Sequence, residues 1–339
     1  MLERFILISA LVVFGSSLNS FAQASPEVGK ATGEIAVAAK NFLATLDTNQ
    51  RGKFVFDLED EAQRKRWSNL PTSFVKRAGL RMGDLTKEQR LAAMAVLKAA
   101  FSPQGYEKLV QIVEADETLK KSGGQAIFGR DEYYFSFLGE PSGTDPWMIQ
   151  FGGHHLGVNL TLAGNRATLA PSHTGAQPAI YEFEGKTVRP LGRESDKAFA
   201  LMSSLDEAQR KQAILGFKMR DLALGPGRDG ETIQPEGIKA SAFTEKQREM
   251  LLDLAGEWTG IMPLSAAKIK NDELKQHIAE TWFAWSGPTE KGGAAYFRIQ
   301  GPTVIIEYAP QRLGGDPTKH IHTIYRDPTN EYGAKWWKR

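Results

Sequence analysis

All six histidines of the chain fall at or beyond His154, and four of them stand in two short clusters. The first is Gly152-Gly153-His154-His155-Leu156-Gly157-Val158-Asn159-Leu160-Thr161. Read as a strand, its period of two puts His154, Leu156, Val158 and Leu160 on an apolar face. His155, Gly157, Asn159 and Thr161 share the opposite face, which is polar and small. His154 is then a core or ligand-binding residue, Asn159 a ligand-binding one, and His155, with room beside Gly157, a metal ligand. The second cluster is His320-Ile321-His322, followed by Thr323-Ile324-Tyr325-Arg326-Asp327-Pro328. Two imidazoles at i and i+2 of a strand project to one side, about 6.5–7 Å apart along the chain. They can share one divalent ion, and neutral imidazole suits Zn, Cu or Fe. Arg326 and Asp327 come where Pro328 must end the strand; they can orient a ring, bind a carboxylate substrate or only salt-bridge the loop. His173 and His277 read as surface or local hydrogen-bonding residues, His277 being accounted for by a helix C-terminus. An H-x-H pair also fits many strands that bind nothing, so a metal-free polar pocket and a purely structural role stand beside the metal reading.

The elements that must position these residues follow a pattern of long period. Asp60-Glu61-Ala62-Gln63-Arg64-Lys65 recurs unchanged as Asp206-Glu207-Ala208-Gln209-Arg210-Lys211, an offset of 206 − 60 = 146. Thr86-Lys87-Glu88-Gln89-Arg90 is matched by Thr244-Glu245-Lys246-Gln247-Arg248, offset 244 − 86 = 158, and Tyr134–Phe137 by Trp282–Trp285, offset 282 − 134 = 148. The jump to 158 suggests an insertion in the second copy, at Gly225–Gly230. Thr86–Gln89 and Thr244–Gln247 are capping boxes, and Ser102-Pro103 opens a further helix with Pro at its first position. Its partner is expected near Ser265–Ile278. Aromatic and β-branched runs near 126–185 and 281–326 read as strands joined by short turns. The expected class is α+β: two related halves, residues 25–190 and 191–339, each helices followed by an antiparallel sheet, packed about a pseudo-two-fold axis. Aligning Gly153 with Gly301 sets His155 over Thr303 and Asn159 over Glu307. A centre gathering His155, Asn159, Glu307, His320 and His322 follows as an expectation.

Composition removes several alternatives. The chain has 339 residues, 42 basic against 40 acidic, and no cysteine. Without a basic excess there is no footprint for nucleic acid. Without cysteine there is no disulfide scaffold, thiolate nucleophile or Cys-ligated zinc. G-x-S-x-G, G-x-x-x-x-G-K and H-E-x-x-H are all missing. Residues 1–24 read as a secretory signal peptide: Arg4, then an apolar run from Phe5 to Phe14, then Ala22-Gln23-Ala24 as the cleavage pattern. These ten residues, apolar but for Ser9, fall short of the ~20 that span a bilayer. The protein is expected to be exported, periplasmic or extracellular, and free of the membrane after cleavage.

The Gly153–Leu156 run with Asn159, the Gly175-Ala176-Gln177-Pro178 stretch, Gly301–Tyr308 and the ending His320-Ile321-His322 with Arg326-Asp327-Pro328 together resemble the family catalogued as domain of unknown function 3500. The resemblance runs from about residue 35 to 333. It implies that His155, Asn159, Glu307, His320, His322, Arg326 and Asp327 occupy the family's signature positions, and it names no reaction. Gly152 stands where a polar residue such as Asp is expected, and Gln300 where a His is usual. The expected function is a metal-dependent hydrolase acting on a small molecule. His155, His320 and His322 would hold the ion, with Glu307 as ligand or general base, Arg326 stabilising anionic charge and Asp327 beside it. A periplasmic small-ligand or metal-binding protein without catalysis is the alternative.

Overall fold

The computed structural model describes residues 25–123, 125–313 and 315–338. The expected signal segment and its cleavage point lie outside the described residues. The first succession of elements is α1 (Pro26–Ala44), α2 (Thr48–Phe54), β1 (Val55–Phe56), α3 (Glu61–Arg64), β2 (Leu80–Arg81), α4 (Lys87–Ala100) and α5 (Pro103–Lys121). It continues with β3 (Tyr134–Leu138), β4 (Trp147–Gly153), β5 (Leu156–Ala163), β6 (Arg166–Thr168) and β7 (Ser172–Ala176). A small hairpin of β8 (Tyr181–Phe183) and β9 (Lys186–Val188) follows. The second succession is α6 (Gly192–Ser204), α7 (Glu207–Ala213), β10 (Ile238–Lys239), α8 (Glu245–Thr259), α9 (Leu264–Gln276), β11 (Trp282–Ser286), β12 (Tyr296–Gly301), β13 (Val304–Pro310) and β14 (Ile321–Arg326). Apart from the two-residue strands β1, β2 and β10, helices precede strands in both, as the α+β reading expects. The capping boxes form with both bonds present at Thr86/Gln89 and Thr244/Gln247, so side-chain chemistry fixes where α4 and α8 start.

One sheet runs through both successions, in the order β1-β3-β4-β5-β7-β14-β13-β12-β11-β10, with β2 pairing β3 and β6 pairing β5. Its centre is the antiparallel pair β7–β14, in which Thr174 faces Thr323 and their hydroxyls are 2.7 Å apart. Outward from this seam, β5, β4 and β3 on one side answer β13, β12 and β11 on the other. The boundary expected at 190/191 falls between β9 and α6, while the strands of the two parts share hydrogen bonds.

Because paired strands alternate their side chains together, each face of the sheet can be read across its register. Phe135, Phe137, Ile149, Val158, Ile306, Phe297 and Trp285 lie on the face that packs against the helices, in one core with Phe42, Leu97, Phe199 and Leu254. Each large side chain buried there contributes about 1.5–3 kcal/mol. The other face carries Gln150, Asn159, His173, His322, Glu307, Arg298 and Arg326, all buried. Water is kept from it by two irregular crossovers, residues 57–77 and 215–236, and by the C-terminal segment. The face binds its covers through side chains. Gln63 of the first crossover donates to Gln150 at 3.0 Å, and Gln150 donates to the Arg64 carbonyl at 3.0 Å. Arg298 pairs with Glu236 of the second at 2.8 Å, and Tyr332 of the C-terminal segment accepts through its carbonyl from Thr161 at 3.0 Å.

The structure corrects the register of the two successions. α7 is capped by Asp206, but its counterpart in place is α2, capped by Asp47: Gln50 bonds Gln89 at 2.8 Å, and Gln209 bonds Gln247 at 3.1 Å. The offset there is 206 − 47 = 159, in step with the 158 between the α4 and α8 caps. Asp60-Glu61-Ala62-Gln63 instead opens α3, in the first crossover, and its likeness to Asp206–Gln209 is a shared capping chemistry. The change from 158 to 148 therefore lies between α4 and β3, where α5 has 19 residues and α9 has 13. The extra length is in the first succession rather than at Gly225–Gly230.

Gly79 and Gly237 occupy matching places before β2 and β10, with φ of +104° and +91°. A Cβ there would lie 2.3 Å from the Phe135 carbonyl oxygen and 2.2 Å from that of Phe283. Gly79→Ala and Gly237→Ala should each cost at least about 2 kcal/mol in urea unfolding, through backbone strain and collision. Gly33→Ala in α1, where a Cβ meets nothing within 4 Å, should be neutral or stabilise by about 0.5–1 kcal/mol. Equal effects at the three sites would contradict this account.

Candidate metal centre

The strand expected over 152–161 is broken at its histidines. β4 ends at Gly153 and β5 begins at Leu156, so His154 and His155 form the turn of a hairpin, and Gly153 pairs with Leu156. His155 takes a φ of +61°, an uncommon conformation for a non-glycine residue. It is held by its own amide, which donates to Asn69 O at 3.3 Å, and by its carbonyl, which accepts from Gly175 N at 2.7 Å. The turn throws the His155 ring over the sheet seam. His320 stands just before β14 and His322 within it, next to Gly175 across the pair.

These three rings converge. His155 Nε2 and His320 Nε2 are 2.8 Å apart, and His320 Nε2 and His322 Nε2 are 3.1 Å apart. One ligand atom from each of the three lies within 4.8 Å of the others. All are buried, at 1%, 5% and 6% exposure. His320 Nδ1 donates to the Leu313 carbonyl at 2.6 Å, which fixes the tautomer and leaves Nε2 with its lone pair toward the cluster. His322 Nδ1 faces Asn69 Nδ2 at 3.3 Å and the Asp221 carboxylate at 3.7 Å. A carbonyl that accepts from the far ring nitrogen is a usual support of a metal-ligating histidine, and His320 has one; behind His322 the Asn69 amide is within reach and the Asp221 carboxylate lies beyond hydrogen-bond distance. Tetrahedral nitrogen ligands at 2.0–2.1 Å from zinc stand about 3.3 Å apart, so the two pairs in contact need to part by only a few tenths of an ångström. The residues present fit a divalent ion.

A second group meets the first at His155. His154 Nδ1 donates to Asp116 Oδ1 at 2.6 Å, and Asp116 Oδ2 accepts from Gly129 N at 2.8 Å. The His154 and His155 rings stack with centroids 3.6 Å apart. Asp116, His154 and His155 also offer three ligand atoms within 4.8 Å of one another. Asp116 was not anticipated, although a signal exists: it follows the buried Leu109 and Ile112 at helical spacing on α5, as an acid on an inward stripe. His173, expected at the surface or in a local hydrogen bond, is fully buried on β7 with neither ring nitrogen bonded, its ring centroid 5.3 Å from that of His322.

The remaining expected residues are placed elsewhere. Asn159 accepts from Gln150 and donates to Pro171 O, both at 2.9 Å. Glu307 accepts from the amides of Ala223 and Leu224, both at 2.8 Å, and from Tyr296 Oη at 2.6 Å, which fastens the second crossover. Asn159 and Glu307 do match across the seam, and that symmetry keeps them apart. Three strand spacings separate β5 from β13, about 14 Å. Arg326 donates to the carbonyls of Leu224 and Gly225 and ion-pairs with Glu331; Asp327 accepts from Lys270 at 2.8 Å. Neither belongs to the histidine group. Gly152 and Gln300 do not bear on it either: a Cβ at Gly152 would meet Leu156 O at 2.4 Å, and Gln300 donates to Ile233 O. His277 caps α9, as expected.

Burial keeps the cluster neutral. It pushes His155 and His173 well below 6.5, reinforced by the neighbouring imidazoles, and His320 down to about 4 against the pull of the Leu313 carbonyl. His322 is lowered by burial, with Asp221 opposing. Neutral rings are the form that binds metal. On acidification the unfolded chain takes up protons first, so stability is full above about pH 6.5 and is lost as pH falls toward the folded values. The Tm of chelator-treated protein should hold above pH 6.5 and drop by about 5 °C between pH 6.5 and 5. His155→Gln should shrink the drop, and a Tm that is flat or rising over that interval would overturn the assignment.

No curated protein and no solved structure matches the chain. The family model described as "Protein of unknown function (DUF3500)" matches residues 28–334, a span that holds every element from the first turn of α1 to the C-terminal cover. The chain belongs to that family.

Proposed function

We propose that this is an exported metalloprotein whose His155, His320 and His322 hold one divalent ion, and that it hydrolyses a small-molecule substrate there. The observation that carries the metal reading is the convergence of three buried, neutral imidazoles, one of them braced from behind by a carbonyl. Export rests on the apolar run Phe5–Phe14 and the Ala22-Gln23-Ala24 pattern. Among the described residues no helix is long and apolar enough to cross a membrane.

Three imidazoles leave a fourth position, the arrangement of catalytic zinc, and a bound ion supplies Lewis acidity and lowers the pKa of a water it holds. The chain does the rest. Leu313 O holds His320 in orientation, Asn69 Nδ2 meets His322 Nδ1, and the two crossovers exclude bulk water. Asp116 fixes His154 with Nδ1 donating, which leaves Nε2 to hold or pass a proton beside the centre.

A second reading, small-ligand binding without catalysis, is favoured by a cavity of about 660 Å³ at the far end of β14, among Met262, Ile269, Tyr325, Trp336, Arg166 and Lys335. Such a size suits a small organic ligand, and Arg166 and Lys335 favour an anionic one.

Elemental analysis of untagged protein should find about one zinc, copper or iron per chain, and the His320→Ala/His322→Ala protein should hold less than about a tenth of that. Asp221→Asn, which removes a carboxylate charge 3.7 Å from His322 Nδ1, should weaken zinc binding about threefold. Absence of metal after reconstitution with each ion would overturn the reading. A thermal shift with aromatic carboxylates, abolished by Arg166→Ala and indifferent to metal, would favour the second.

A further inference from the structure

His173 is left over from this account. Neither of its ring nitrogens has a hydrogen-bond partner, and the residue is 0% exposed. A neutral imidazole carries one N–H and one lone pair, and each unanswered polar group in an interior costs about 1–3 kcal/mol. The sheet fixes where the ring stands. On β7, His173 lies opposite Gly157 on one side and Ile324 on the other. A Cβ added to Gly175 would lie 3.1 Å from His173 Nε2 and 3.3 Å from His155 Cδ2, so the two rings meet over the one residue that has no side chain to separate them. His322 faces that same glycine across the seam, 5.3 Å from His173 between ring centroids. His173 therefore borders the space into which the cluster points.

It does not join the cluster as an equal. The ligand atoms of His155, His320 and His322 lie mutually within 4.8 Å, and His173 stands outside that set. A nitrogen bound to zinc is 2.0–2.1 Å from it. A nitrogen that bonds instead to an oxygen held by the ion stands about 4–5 Å away, being one metal–oxygen and one hydrogen-bond length removed. We infer that His173 is a positioning residue for the fourth position of the centre. It hydrogen-bonds the water, hydroxide or carboxylate oxygen that occupies that position and does not ligate the ion. The inference rests on the metal reading above. It gives the site a preference for oxygen ligands that can share a hydrogen bond with an imidazole.

The test uses protein loaded with Co²⁺, whose visible spectrum reports both loading and the exchange of its fourth ligand, titrated with acetate. His173→Phe keeps the ring and removes both nitrogens; His173→Asn keeps a donor and an acceptor on a smaller frame. Both should bind Co²⁺ as tightly as the parent, within about threefold. His173→Phe should bind acetate at least tenfold more weakly, and His173→Asn should recover part of the loss. Metal-free His173→Phe should melt no lower than the parent, because it removes two unanswered polar atoms. Loss of Co²⁺ from both variants would make His173 a ligand and overturn the inference, as would acetate binding unchanged in His173→Phe. Failure of the parent to take up Co²⁺ would sink the metal reading itself, a result distinguishable from either.

Discussion

A sheet whose polar face is shut away from water must have each hydrogen-bonding group on that face answered by the chain that covers it. Here the face carries Gln150, Asn159, Glu307, Arg298 and Arg326, and the cover is two irregular crossovers and the C-terminal segment. Left without partners, groups of this kind would cost several kcal/mol between them. Paired, they give segments with little regular structure a fixed position. The apolar face makes no such demand, because helices satisfy their own backbone and offer an apolar stripe. The division of labour between helices on one face and loops on the other follows from that difference.

Arg298 Nε and Gln300 Oε1 are unanswered on this face, and the histidines gather the largest group of such atoms. Around the seam, polar atoms meet one another rather than the cover: three Nε2 atoms face each other, and His155 Nδ1 and both nitrogens of His173 have no partner. Glycines make the meeting possible, since a side chain at Gly175 would fill the space between His155 and His173. Among the described residues the seam is the one strand pairing between the two successions, so residues 165 positions apart in sequence, such as His155 and His320, come within bonding distance. A buried set of polar atoms short of partners is the expected form of a site that takes its partner from outside the chain.

Glu307, Arg326, Asp327 and Asn159 show how chemistry-bearing types mislead when they stand in a motif. Charged residues between apolar neighbours on a strand signal a buried need, and catalysis is one such need. Here the need is structural. Glu307 ends the amides of Ala223 and Leu224, Arg326 ends the carbonyls of Leu224 and Gly225, and Asp327 matches Lys270. Asn159 answers Gln150 of β4 and the Pro171 carbonyl, and Lys270 belongs to α9, so the four fasten crossover, strand and helix to the sheet.

The sequence by itself determined the α+β class, the twice-repeated order of helices and strands, the starts of α4, α5 and α8, and the family, because capping, strand periodicity and turn residues act over a few neighbouring positions. It also picked out His155, His320 and His322, since the spacing of His320 and His322 sets them on one side of a strand. Only the tertiary structure decided the rest. That His154 and His155 make a turn depends on β4 and β5 pairing, and a run of alternating residues reads the same with or without a turn in it. The true match of α2 with α7 was hidden by Asp60–Lys65, an identical capping sequence placed in a loop. Asp116 and His173 enter only because α5 packs beside the hairpin and β7 lies against β14. Such contacts depend on how the strands are ordered in space, and short-range sequence patterns carry no term for that order.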